Sequence, residues 1–218
     1  MGVNPGLYDH LVTSGEMTFA ALQGPADEWH AALGRNYFHL GPMTLAGLLG
    51  GLDRVEVPVP ERADFVLNTG TDGYQTVDDL SGLLHECASH QLPMICANPD
   101  LAVFVGNRLT ICAGALAARY ATLGGVVKYH GKPHASAYLR TLDLLGLGRQ
   151  QVLAVGDSLV TDIAGAALAG IDVAFVASGI HRTELGIAWG GSPETARLAA
   201  VLSGFQHRPT YVISHFKW

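Results

Sequence analysis

Asp157 and Asp162 lie five residues apart in Gly156-Asp157-Ser158-Leu159-Val160-Thr161-Asp162, just after the apolar run Val152 to Val155. A short β-prone run of this kind reads as a buried strand of a parallel sheet. The Ala-rich stretch Thr161 to Ala169, stopped by Gly170, predicts a helix with a small-residue face. Ligands of open α/β sheets bind beyond the carboxyl ends of strands. Two carboxylates at such a place suit a hard divalent cation, Mg²⁺ above all.

Upstream, Gly131-Lys132-Pro133 precedes an amphipathic stretch with Tyr138, Leu142 and Leu145 on one face and Gly146 at its end. Pro133 fits the first turn of that helix. Lys132 then stands just ahead of a helix N-terminus, where a cation and the helix dipole together favour an anion. Asn98-Pro99-Asp100 follows the predicted strand Met94 to Ala97. Such a loop suits either a ligand contact or an ordinary turn. His130 and His134 have the spacing of some zinc pairs, but Pro133 interrupts a helix through both, so no metal role is assigned to them.

Ser158 allows a second chemistry, since Gly156-Asp157-Ser158-Leu159 also spells the signature of GDSL-type serine esterases. Those enzymes carry the block near the N-terminus and an Asp-x-x-His dyad near the C-terminus. Here the Asp-x-x-His, Asp27 to His30, lies far before the block, which weighs against an esterase. Thr13-Ser14-Gly15-Glu16 has capping-box spacing, and a helix from Met17 to Gln23, stopped at Gly24-Pro25, is the reading preferred over a catalytic one.

The remaining pattern must position these residues. Tyr8 to Val12, Asn36 to Leu40, Ala63 to Leu67, Met94 to Ala97, Val126 to Tyr129, Asp172 to Ala177 and Thr210 to Ile213 read as strands. Met43 to Leu52, the periodic positions Val77 to Cys87, and Ser192 to Leu202 before Gly204 read as helices. This alternation predicts an α/β fold.

The order of these motifs resembles the haloacid-dehalogenase (HAD) superfamily. Gly156, Asp157, Thr161 and Asp162 match its fourth motif, Gly-Asp-x-x-x-Thr-Asp, and Gly131-Lys132-Pro133 is similar to its third. Ala97-Asn98-Pro99-Asp100, Ala113-Gly114-Ala115 and Ser178-Gly179-Ile180 are similar to class IIA, the 4-nitrophenylphosphatase and sugar-phosphate phosphatase type. The resemblance implies a Rossmann-like core with a parallel sheet, incomplete here, and an inserted α/β cap. Residues 1–25 would be a core fragment, 26–127 the cap, and 128–218 the core with the third and fourth motifs. It implies a Mg²⁺-dependent phosphatase that hydrolyses a small phosphorylated metabolite through an aspartyl-phosphate. Asp157 and Asp162 would serve the metal. Lys132 and Asp162 would be catalytic. Asn98, Asp100 and Lys132 would bind substrate.

The family's nucleophile stands in an Asp-x-Asp, and no Asp-x-Asp occurs in these 218 residues. The second motif is absent too. At about 30 residues per βα unit, roughly 60 to 70 residues of the family pattern are missing. A truncated, inactive chain is the expected reading, ahead of a natural remnant that binds a phosphorylated ligand without turnover. Removing two neighbouring strands would expose an apolar sheet edge, so self-association is expected.

Bulk composition fits a folded protein, with 49% hydrophobic and 15% charged residues. The net charge of −6 and the lack of a basic stripe argue against nucleic acid. Cys87, Cys96 and Cys112 lack Cys-x-x-Cys spacing and read as reduced, buried thiols of a cytoplasmic protein. The segment MGVNPGLYDH has neither the basic start nor the apolar core of a signal peptide, and the apolar tract Ile163 to Ile180 is broken by Gly170 and Asp172, so no membrane span is expected.

Overall fold

Short apolar runs alternating with helices build two separate parallel sheets. The structure, a computed structural model, describes residues 4–106 and 108–217. The first three residues of the N-terminal segment read above lie outside them. The chain divides into two compact units: a central one, Thr13–Gly131, and a flanking one made of Met1–Val12 and Lys132–Trp218. The divisions fall at 12/13 and 131/132, against the 25/26 and 127/128 expected from the sequence.

In the central unit, α1 (Ser14–Gln23) and α2 (Glu28–Ala31) precede β1 (Asn36–Leu40), β2 (Val55–Val57) and β3 (Phe65–Asn68). Then come α3 (Ser81–Ser89), β4 (Met94–Cys96), the hairpin β5 (Ala102–Val105) and β6 (Arg108–Ile111), α4 (Ala113–Thr122) and β7 (Val127–Tyr129). The sheet is parallel, in the order β2-β1-β3-β4-β7. One face packs Val66, Met94 and Cys96 against Leu84, Leu116 and Tyr120. The other packs Phe65, Leu67 and Ile95 against Leu22, Leu33 and Leu49. Burial on both faces explains why the central strands β3 and β4 are apolar runs rather than alternating ones.

The Thr13 reading holds. Its side chain accepts the Glu16 N–H while the Glu16 carboxylate accepts the Thr13 N–H, a complete capping box. The cysteines are free and buried. Burial pushes the Cys87 and Cys112 thiols up to about 11 and Cys96 to about 12, which makes them inert. A buried pair, His30 and His130, joins Nε2 to Nε2 at 2.9 Å. His30 Nδ1 reaches Asp27 Oδ1 at 2.7 Å, and His130 Nδ1 reaches Thr18 Oγ1 at 2.8 Å.

In the flanking unit, α5 (Ala135–Leu145) and β8 (Leu153–Gly156) are followed by a π-helical turn over Leu159–Ile163 and by α6 (Ala164–Ala169). β9 (Asp172–Val176), α7 (Thr195–Ser203) and β10 (Tyr211–Ile213) complete it. Its sheet is parallel, in the order β10-β9-β8. Phe175, Val173, Ile163, Leu159 and Ala166 form its core. Helices α5 and α6 end on Gly146 and Gly170 in the left-handed region, where a side chain would be strained.

Several expectations are corrected. Tyr8 to Val12 is not a strand; Pro5–Leu7 is a 3₁₀ turn and the following residues are irregular, with Tyr8 and Leu11 exposed. Strand propensity without a partner ladder does not make a strand. Met43–Leu49 is 3₁₀ rather than α, in a segment broken by Gly47, Gly50 and Gly51. The helix predicted from Thr161 begins as the π turn. Strand β2, the hairpin and helices α2 and α4 went unread. Among the described residues no helix is long and apolar enough to cross a membrane.

Two predictions follow from this architecture. Folding lowers the Asp27 pKa from 3.8 to about 2, first through the His30 backbone N–H, then through the His30 side chain and Lys128, with desolvation opposing. The carboxylate therefore contributes stability above its unfolded pKa, lost as pH falls from about 4 toward 2. Asp27→Asn should lower the denaturation midpoint at pH 7, and its deficit against the wild type should shrink steadily as pH falls from about 4 toward 2. Second, among the described residues β8 pairs only with β9, and Leu153 and Val155 are 49% and 42% exposed. Leu153→Lys should reduce self-association in sedimentation velocity, since a charge on an edge strand opposes pairing with another chain.

Candidate functional site

The loop after β8 folds back on itself around one carboxylate. Asp162 Oδ2 accepts the N–H groups of Asp157 at 3.0 Å and Ser158 at 3.1 Å. Its Oδ1 accepts from Lys132 Nζ at 2.5 Å, a charge-assisted contact. Asp162 is 13% exposed and Lys132 43%. The π turn makes this possible: Ser158 O accepts the N–H groups of both Asp162 and Ile163, and Ser158 Oγ accepts that of Thr161. Tyr138 of α5 donates its hydroxyl to Asp162 O at 3.0 Å, tying the turn to the helix that follows Lys132. Single π turns inside helices recur at functional sites.

Two glycines are required by close approach. A Cβ on Gly156 would collide with the Asp162 side chain, and one on Gly179 with that of Asp157. Gly179 lies in the loop after β9, whose next residue, Ile180, donates its N–H to Asp157 Oδ2 at 2.9 Å. Asp157 Oδ1 has no hydrogen-bond partner among the described residues.

The structure thus brings Lys132, Asp157 and Asp162 together at the carboxyl end of β8. It places Asn98 and Asp100 in the central unit, after β4. There Asn98 Oδ1 accepts the Asp100 N–H at 3.2 Å, a local turn, and Asp100 O accepts the Gly114 N–H at 3.1 Å. Gly114 could carry no side chain, because its Cβ position meets the Pro99 and Asp100 carbonyls. This gives Ala113-Gly114-Ala115 a packing reason.

Ser158 Oγ is spent as a helix-start cap. His181, the histidine nearest in role, directs Nε2 to the Leu159 N–H and Nδ1 to Glu184. Among the described residues Ser158 pairs with no histidine, and the esterase chemistry lacks its base. The sequence reading missed His181, Glu184 and the Tyr138 hydroxyl; the i, i+3 spacing of His181 and Glu184 was the available signal.

The donor set fits a hydrated Mg²⁺ in part. Mg²⁺ is held by one or two carboxylates, with waters and phosphate oxygens completing its shell. Asp157 offers a carboxylate oxygen for that purpose. Both Asp162 oxygens are occupied by N–H and ammonium donors. Among the described residues no group of three or more His, Cys, Asp or Glu could hold a metal by itself.

A family model described as haloacid dehalogenase-like hydrolase matches residues 15–170, well over half of the chain. The chain belongs to this family. A second model, of HAD-hydrolase-like proteins, matches residues 129–218. A solved haloacid dehalogenase-like hydrolase from Brucella suis is 34% identical over 99% of this chain and 75% of its own, with a TM-score of 0.78. A p-nitrophenyl phosphatase from Archaeoglobus fulgidus shares the fold at 20% identity, covering 93% of this chain and 69% of its own, with a TM-score of 0.61. A glycerol phosphate phosphatase from Mycobacterium tuberculosis, solved with magnesium, is 24% identical over 94% of this chain and 55% of its own, with a TM-score of 0.62. No curated protein matches. The α/β fold is that of the haloacid-dehalogenase superfamily, of the class IIA type, and the chain is a hydrolase by family.

Gly179→Ala should displace Asp157 and cost about 1–3 kcal/mol, as overpacking does. Urea denaturation checks the stability, and a change in the Ile180 amide NMR signal reports the displacement.

Proposed function

We propose that this HAD hydrolase carries the metal- and phosphate-handling residues of a Mg²⁺-dependent phosphatase for a small phosphate monoester. The observation that carries the reading is the cluster of Lys132, Asp157 and Asp162 at the carboxyl end of β8. Asp157 would hold Mg²⁺ through its unpaired Oδ1. When bound, Mg²⁺ offsets negative charge on the phosphoryl oxygens. Asp162 supports that site from behind: it fixes the Asp157 and Ser158 amides and holds the Lys132 ammonium in place. Lys132 precedes α5, an eleven-residue helix with His134 at its N-cap, and brings positive charge to the phosphate. We assign Asn98 and Asp100 to substrate binding; the Asn98 side-chain amide N–H₂ keeps its donors beyond the local turn. Magnesium in the mycobacterial relative supports the choice of metal.

The 218 residues hold no Asp-x-Asp, so the chain as given supplies no candidate for the nucleophile. Binding without turnover is the expected behaviour. Titration calorimetry should detect Mg²⁺ binding that Asp157→Asn abolishes and Ser158→Ala leaves intact. Inorganic phosphate should bind in the presence of Mg²⁺, and more weakly to Lys132→Ala. p-Nitrophenyl phosphate should not be hydrolysed at enzymatic rates. Absence of Mg²⁺ binding to the wild type would overturn the reading, and hydrolysis of p-nitrophenyl acetate lost in Ser158→Ala would replace it with an esterase.

A further inference from the structure

Two adjacent residues of the loop after β9 hold two points of the loop after β8. Ile180 donates its N–H to Asp157 Oδ2 at 2.9 Å. Its neighbour His181 presents Nε2 to the Leu159 N–H at 3.2 Å. A backbone N–H can only donate, so His181 Nε2 must carry the lone pair. The ring proton then sits on Nδ1, which lies 2.6 Å from Glu184 Oε2 and donates to it. Glu184 is itself fixed one helical turn along the same loop, where its backbone carbonyl accepts from Arg197 Nε of α7 at 2.6 Å.

The imidazole is held by ring packing as well as by its two nitrogens. Its side chain is 12% exposed. It meets the buried Phe175 of β9 at 6.0 Å between ring centroids and Phe205 at 5.6 Å, both edge-on. Such packing fixes the ring plane, so Nε2 has one direction in which to accept. The loop carrying the Ile180 amide therefore cannot shift without breaking the bond to Leu159.

We propose that His181, in the Nδ1–H form selected by Glu184, is a positioning residue that locks the loop after β9 onto the loop after β8 and thereby sets the orientation of the Asp157 carboxylate. It touches neither metal nor substrate. It acts through Ile180 and Leu159, leaving Asp157 Oδ2 engaged and Oδ1 presented. The consequence for Mg²⁺ rests on the function proposed above; the locking itself does not.

The test starts on the unaltered protein. Nitrogen-15 NMR of the His181 ring should show an unprotonated Nε2 and a protonated Nδ1. Amide hydrogen exchange at Leu159 and Ile180 should then lose protection in His181→Ala, while amides of β9 and α7 keep theirs. His181→Gln, whose Oε1 can accept from Leu159, should restore protection at both positions. Mg²⁺ affinity should fall about 10- to 100-fold in His181→Ala and recover in His181→Gln, as for other residues that orient a metal ligand from behind. A protonated Nε2 in the wild type would overturn the proposal even if the variants fail to fold. Unchanged Ile180 exchange in His181→Ala would overturn it too, as would a Gln variant no better protected than the Ala one. If the wild type binds no Mg²⁺, the metal reading fails, and the tautomer and exchange data alone decide the role of His181.

Discussion

The hydrogen bonds from the Asp157 and Ser158 amides to Asp162 Oδ2 are the constraint on which the candidate site depends. A carboxylate that takes two backbone donors and a lysine is strongly held in place. It closes the loop after β8 into a turn so tight that residue 156 must be glycine. It also fixes where Lys132 ends. If Asp162 were lost, the Lys132 ammonium would lose its carboxylate partner, and two amides would be left facing a partly buried space without an acceptor. The same residue thus determines backbone shape, charge balance and the direction of Asp157.

Each neighbouring feature answers a need that this turn creates. The π turn directs both the Asp162 and Ile163 amides to one carbonyl, which rotates the Asp162 side chain back toward the strand end. The Ser158 hydroxyl satisfies the Thr161 amide that the irregular start leaves over. The Tyr138 hydroxyl satisfies the Asp162 carbonyl. Behind them, Leu159 and Ile163 are buried against Phe175 and Val173, so the polar turn stands on an apolar base. Burying those side chains contributes about 1.5–3 kcal/mol each, enough to hold a turn that would not persist in a free peptide.

Much of this was legible in the sequence, and the reasons differ by residue. The alternation of apolar runs with glycine-ended helices gave the α/β class, because parallel strands covered on both faces must be continuously apolar. Gly156, Asp157, Thr161 and Asp162 were readable as a set through their resemblance to the family's fourth motif, and the two carboxylates also from their place at a strand end. The capping box at Thr13 was readable because both of its partners are local. Tyr8 to Val12 was misread as a strand for the opposite reason: strand formation depends on a partner that the local sequence does not name. The hairpin of β5 and β6 was signalled by Gly106-Asn107, a two-residue turn pattern, but its strands are short and half exposed.

The functional contribution of His181 was not legible, and the cause is physical. Its partners are the Leu159 amide, far upstream, and two aromatic rings from β9 and the segment after α7. Backbone donors leave no residue-type signature at the acceptor's distant partner. Only the His181–Glu184 pair is local, and a His-x-x-Glu spacing on its own describes many solvated turns. Asp157, which would meet a metal, and Asp162 behind it are thus close in sequence, while the groups that aim Asp157 are specified by the packing of strands β8 and β9. A site of this design tolerates little change in the loop after β9, even though none of its side chains need touch the ligand. On the proposed reading Asp157 would set the chemistry available at the strand end, and the contacts of Gly179, Ile180 and His181 hold its carboxylate in one direction.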